Sequence, residues 1–134
     1  MTTSALYRYD RVYVGQSQVC DGLGVFASAP FAKGELILAE RVVVVFAAEF
    51  SSPSLFFDEY SFDWGESDED AAIPIGISML FNHGAEGTAN LTWRERGDII
   101  EWIALRDIAA GDELLHNYNG AGSVEPRAFP DPKR

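Results

Sequence analysis

The hydrophobic pattern of this chain is that of a β protein. Apolar residues, many of them β-branched or aromatic, gather in short runs at Arg11 to Val14, Val25 to Ala27, Leu36 to Val45, Leu91 to Arg94, Ile99 to Leu105 and Leu114 to Tyr118, with Gly, Asp and Ser between them. Short apolar or alternating runs bounded by turn residues predict strands, so each of these is expected to be one. The stretch from Thr92 to Trp102 predicts a hairpin whose turn falls at Arg96-Gly97-Asp98, where glycine supplies the positive φ of a tight turn, with Trp93 and Trp102 in the core. No stretch sustains a 3.6-residue period. Single helical turns are expected around Leu55 to Tyr60 and Gly76 to Phe81, and helix content should be low. Two segments echo each other, Phe31-Ala32-Lys33-Gly34-Glu35-Leu36-Ile37 and Ile108-Ala109-Ala110-Gly111-Asp112-Glu113-Leu114. Nothing else recurs at that interval, so this is the same turn chemistry used twice and not an internal repeat.

Length and composition narrow the class. The 134 residues make one domain, and 47% hydrophobic with 13% aromatic residues is enough apolar surface to order it. The opening residues lack a basic start followed by an apolar stretch, and the run from Val42 to Ala48 is too short to span a bilayer; the expectation is a soluble, unexported, cytoplasmic protein with no membrane contact. Cys20 is the single cysteine, which excludes an internal disulfide, and with His83 and His116 the only histidines no metal site is expected. A formal charge of −11 argues against direct nucleic-acid binding and suits a basic partner: a histone-like, ribosomal or other Lys-rich protein. Seven of the 21 acidic residues lie between Asp58 and Asp70, a concentration that predicts a solvated loop. The proline-rich ending, 123–134, is expected to be an extended tail.

Three blocks carry candidate chemistry. The first is Asp21-Gly22-Leu23-Gly24-Val25-Phe26-Ala27, followed by Pro30 to Ile37. Glycines between strands serve either a turn or bulge, or the close approach of main chain to a ligand. The second is Gly76-Ile77-Ser78-Met79-Leu80-Phe81-Asn82-His83-Gly84, continuing to Ala89-Asn90. An Asn-His pair beside glycine makes an ordinary loop; as a site, its asparagine offers both donor and acceptor to a zwitterionic amino-acid end. The third runs from Leu105 through a glycine turn and the acidic pair Asp112-Glu113 into a strand ending at Tyr118. Met singly, such a tyrosine packs at a strand end with its hydroxyl on a carbonyl.

In this order the three blocks resemble the signature blocks of the SET-domain protein-lysine methyltransferases, in the compact microbial or viral form without a cysteine-rich segment after the domain. The resemblance runs from about Tyr7 to Gly120. It implies a mainly β fold of several small sheets with short helices and a pseudoknot-like C-terminal threading, a SET domain over 1–122 with a variable insert at about 47–75. It implies an S-adenosylmethionine-dependent protein-lysine N-methyltransferase acting on a basic protein. Gly22, Leu23, Gly24, Phe26, Asn82, His83 and Tyr118 would hold the cofactor, with Tyr118 catalytic; Tyr60, Trp64 and His116 would line the lysine channel, Tyr60 and Trp64 being equally readable as core aromatics. Three departures stand out: Gly84 where serine is usual, Ala89 where proline precedes Asn90, and His116 where phenylalanine or tyrosine usually tunes the number of methyls added. Gly84, His116 and the missing C-terminal lid keep open an alternative, a SET-like module that binds S-adenosylmethionine or a basic partner without turnover. So short a domain also raises a homodimer in which a second copy completes the substrate groove.

Overall fold

The computed structural model describes residues 6–46, 61–65 and 70–118. These form β1 (Val12–Gln16), β2 (Leu23–Ala27), β3 (Leu36–Val45), β4 (Phe62–Trp64), β5 (Asp70–Pro74), a 3₁₀ turn (Ile77–Leu80), β6 (Asn82–His83), β7 (Leu91–Arg96), β8 (Ile99–Ala104) and β9 (Leu115–His116). β1 and β2 pair as an antiparallel ribbon, and the other strands make a seven-stranded sheet in the order β4-β5-β3-β8-β7-β9-β6. The expected β class and the short helical turn near Gly76 to Phe81 are both present, while the turn expected at Leu55 to Tyr60 and the tail at 123–134 lie outside the described residues.

The middle of the sheet is buried on both faces. Ile37 to Glu40 on β3 and Ile100 to Trp102 on β8 are continuous buried runs, and the largest sealed side chains are Trp102, Phe81, Leu38, Ile100 and Leu114. The β7–β8 hairpin closes through Gly97 and Asp98, with Gly97 at φ +61. Arg96, expected in the turn, stays in the ladder opposite Ile99. Two arginines of β7, Arg94 and Arg96, bind the carboxylate of Glu101 on β8 at 2.7 and 2.9 Å. Burial raises the Glu101 pKa, but the two guanidinium hydrogen bonds outweigh it and hold the group below the usual carboxylate range.

Three strands were not expected. β4 and β5 form inside the region read as a variable insert, and Asp70, read as the end of a solvated acidic loop, opens β5. Pairing decides this: β5 covers the free edge of β3 from Val42 to Val45, and β4 covers β5. The third is β6. It runs parallel to β9, and β9 lies between β7 and β6, so the C-terminal stretch enters between two segments that precede it in the chain.

The two echoing segments meet. Phe31 and Ile108 exchange main-chain hydrogen bonds at 2.9 and 2.8 Å, and each segment repeats one turn, with Glu35 accepting from Ala32 N and Asp112 from Ala109 N. Gly34 and Gly111 take the positive φ in the two copies, +86 and +93.

Candidate functional site

The three sequence blocks converge where β2, the 3₁₀ turn, β6 and β9 pack together. The anchor is Glu113, two residues before the start of β9 and 5% exposed. Its Oε2 accepts from Ser17 Oγ at 2.8 Å and Asn82 Nδ2 at 3.2 Å, and its Oε1 accepts from Gln18 N at 2.8 Å. Ser17 Oγ in turn accepts from Val19 N and Cys20 N, shaping the loop that leads to Gly22. Glu113, in the third block, therefore ties the loop that precedes the first block to Asn82 of the second through its own side chain.

Asn82 is 1% exposed, and its Nδ2 also donates to Leu23 O at 2.9 Å. Gly24 stands against this pair: a Cβ there would lie 2.2 Å from Glu113 Oε2 and 3.1 Å from Asn82 Nδ2. The missing side chain at Gly24 thus makes room for a carboxylate of the protein itself, a reason different from the cofactor approach the sequence pattern suggested. Gly22 accepts from Ser17 N through its carbonyl, Leu23 is exposed at the end of β2, and Phe26 is buried with its ring stacked on Tyr13 at 5.3 Å.

Asn90 clamps β9. Its Nδ2 donates to Glu113 O at 2.9 Å, and its Oδ1 accepts from Leu115 N at 2.8 Å. The Gly84 departure has a packing reason, since a Cβ would sit 2.8 Å from Leu115 Cβ and 3.1 Å from the Ala89 main chain. Ala89 itself is sealed at 2% exposure.

Tyr118 follows this clamp. Its hydroxyl donates to Phe81 O at 3.0 Å, its main-chain N donates to His83 Nδ1 at 3.1 Å, and its ring lies 5.2 Å from His83 and 4.8 Å from His116. The bond to His83 requires a lone pair on Nδ1, and burial lowers the His83 pKa, so the imidazole is held neutral by geometry and by desolvation alike. His116 is buried among rings: Trp102 at 5.0 Å, Phe62 at 5.6 Å and Tyr118. A phenol whose one proton is committed to a carbonyl acts toward anything else as an acceptor.

Of the two readings of Trp64, the core one describes its position. It is 3% exposed, stacked on Trp93 at 5.8 Å, with its indole N–H on Gly97 O at the hairpin turn. Phe62, on the same face two residues earlier and so about 7 Å along the strand, is the ring that reaches His116. Tyr60 lies outside the described residues. Glu113, Phe62 and Phe81 were not singled out as site residues. Only Glu113 carried a signal, its place in an acidic pair before the strand that ends in tyrosine.

The family model described as SET domain matches residues 22–119. A histone-lysine N-methyltransferase from Schizosaccharomyces pombe, specific for H3 lysine-37, is 28% identical over 101 residues, 72% of this chain and 66% of its own. The chain thus spans just under two thirds of that curated relative. A crystal structure from Plasmodium falciparum, described as a candidate histone methyltransferase, superposes with a TM-score of 0.64 at 22% identity, covering 84% of this chain and 96% of that one. A chain of the Chaetomium thermophilum Polycomb Repressive Complex 2, bound to the inhibitor GSK343, superposes at 0.63 with 26% identity, covering 80% of this chain and 15% of that one.

Proposed function

The chain belongs to the SET-domain family, and from that premise we propose that it is a protein-lysine N-methyltransferase that uses S-adenosylmethionine and acts on a basic, histone-like protein. The observation that carries this reading is the position of Tyr118: its hydroxyl on Phe81 O and its main-chain N on His83 Nδ1, the two residues that flank the buried Asn82, with its ring against His116, which packs in turn on Phe62 and Trp102. The net charge of −11 and the histone-lysine methyltransferase among its relatives support a basic protein as substrate.

The donor set fits the cofactor. Asn82 has both amide hydrogens engaged inside the protein and its oxygen left for a cationic amino group, and neutral His83 sets no charge against a sulfonium. When bound, S-adenosylmethionine supplies a methyl carbon already activated by the positive sulfur. The residues of this chain then have to align and dry a neutral amine. A lysine titrating near 10.4 must lose a proton to attack, which costs about 3 kcal/mol at pH 8, and an aromatic channel that penalises the charged form lowers that cost. Tyr118 contributes its oxygen as an acceptor that orients the amine, so it need not act as a base.

Titration of the purified protein with S-adenosylmethionine, beside Asn82→Ala, tests the first step, and methyl transfer to core histones and to ribosomal proteins tests the second. Saturable binding that Asn82→Ala weakens, followed by lysine methylation that Tyr118→Phe abolishes, is the expected result. An absence of binding at millimolar cofactor overturns the reading, and binding without transfer to any basic protein leaves the non-catalytic module in its place.

A further inference from the structure

Asn82 poses a question of orientation. An amide has a donor end and an acceptor end, and which one faces outward decides what the site recognises. Here the neighbours settle it. Leu23 O is an acceptor, and the Glu113 carboxyl accepts from three separate donors, so both contacts of the Asn82 side chain call for nitrogen. Oδ1 has no hydrogen bond among the described residues. The sealed, unbonded side-chain polar atoms there are Arg96 Nη2 and Trp102 Nε1, so Asn82 Oδ1 remains within reach of a ligand.

We propose that Glu113 is a positioning residue that locks the Asn82 amide with its nitrogen inward, so that this point of the site presents only an acceptor and selects the ammonium of the cofactor's amino-acid end. The inference deepens the function proposed above and rests on it. The lock is specific to a carboxylate. Of the three donors on Glu113, the main-chain N–H of Gln18 cannot turn, whereas the Ser17 hydroxyl and the Asn82 amide can. A glutamine at this position would turn its oxygen to Gln18 and its NH₂ to the other two. Ser17 Oγ, which already accepts from Val19 N and Cys20 N, would lose its acceptor, a loss that Ser17→Ala reproduces on its own, and Asn82 would have to turn its oxygen inward or leave.

The test compares binding of S-adenosylhomocysteine with binding of its deaminated analogue, by calorimetry, in the wild type, Glu113→Gln and Ser17→Ala, each checked by thermal melting. Wild type should prefer the aminated ligand by about 10- to 100-fold, the range for a hydrogen bond to a charged group. Glu113→Gln should lose that preference while binding the analogue within about twofold of wild type. Ser17→Ala, which keeps the Asn82 contact, should retain it. Equal loss of both ligands in Glu113→Gln, an unchanged preference there, or an equal loss in Ser17→Ala would each overturn the proposal, because they describe a carboxylate that only supports the loop. Should Glu113→Gln not fold, nuclear magnetic resonance on the wild type decides. Two slowly exchanging Asn82 side-chain protons support the inward nitrogen, and rapid exchange refutes it. A wild type that binds neither ligand overturns the proposed function, and the exchange measurement still tests the orientation.

Discussion

Glu40 and Glu113 are buried on almost the same plan. Glu40, 0% exposed on β3, accepts from Tyr9 OH at 2.6 Å, from Ser78 N at 3.2 Å and from the Ser78 hydroxyl; Glu113 accepts from a serine hydroxyl, a main-chain N–H and an amide. Each carboxylate is seated against a glycine whose Cβ would come within 2.2 Å of its Oε2, Gly76 for Glu40 and Gly24 for Glu113. Both hold the segment that leads through Phe81 to Asn82, Glu40 at Ser78 and Glu113 at Asn82. The third donor separates them. Tyr9 gives its proton to Glu40 and has its other hydrogen bond on the Ile77 main chain, both inside the protein, whereas the Asn82 amide has a second end that Glu113 leaves turned toward a ligand. A buried carboxylate with all partners internal stabilises a fold; the same carboxylate holding a two-ended group also sets recognition.

That contrast can be broken by variants. Glu40→Ala should have the largest effect, orphaning two hydroxyls and a main-chain N–H at a cost of about 3–5 kcal/mol, a large share of the stability of a domain this size. Urea unfolding measures it, and cofactor affinity corrected for the folded fraction should stay as in wild type. A direct loss of affinity would erase the distinction between the two carboxylates. The glycines should follow in the same order. Gly76→Ala combines a collision with a backbone at φ +152 and should cost about 2–4 kcal/mol, whereas Gly24→Ala should cost about 1–3 kcal/mol, by urea midpoint at constant m. Only the second should blunt the preference for the aminated ligand.

Tyr118→Phe sharpens the contrast from the site's end. Losing the bond to Phe81 O should cost about 0.5–1.5 kcal/mol in stability, yet methyl transfer to a histone should fall by about 100-fold or more at unchanged cofactor affinity. Full activity in this variant would remove Tyr118 from the chemistry. The smallest effects are those of pH. His83 has a folded pKa below its unfolded value, so its contribution is complete above about 6.5 and is lost as pH falls through the folded pKa. Tyr9 runs the other way. Burial and the Glu40 hydrogen bond raise its phenol above 10.0, so its contribution holds below that value and is lost as pH rises through the folded pKa. Unfolding curves from pH 5 to 8 should flatten in His83→Asn, and Tyr9 should ionise above the ordinary phenol range in an ultraviolet titration that Tyr9→Phe simplifies.

Legibility differed along the chain. Local hydrophobic runs sufficed for β3, β7 and β8, which owe their strands to their own β-branched and aromatic residues, and for the turns at Gly34, Gly97 and Gly111, where a positive φ leaves a mark in sequence. β6 is two residues long and left no such mark, and β9, equally short, lies in the run Leu114 to Tyr118 that predicts a strand; their parallel pairing is supported from outside by Asn90. Phe62 was invisible beside Trp64 because both lie on one face of β4, and only the position of His116 shows which of them borders the site.

By itself the sequence determined the β class and the hairpin, because turns and strand periodicity are local properties, and the order of its three blocks carried the family resemblance that singled out Asn82, His83 and Tyr118. The tertiary structure alone decided that Gly24 makes space for Glu113, that the Asn82 nitrogen faces inward and that Tyr118 rests on Phe81. These depend on hydrogen bonds between residues 59, 31, 37 and 95 positions apart, and the partner of a buried polar group is chosen by whichever distant donor or acceptor the packed backbone brings within about 3 Å.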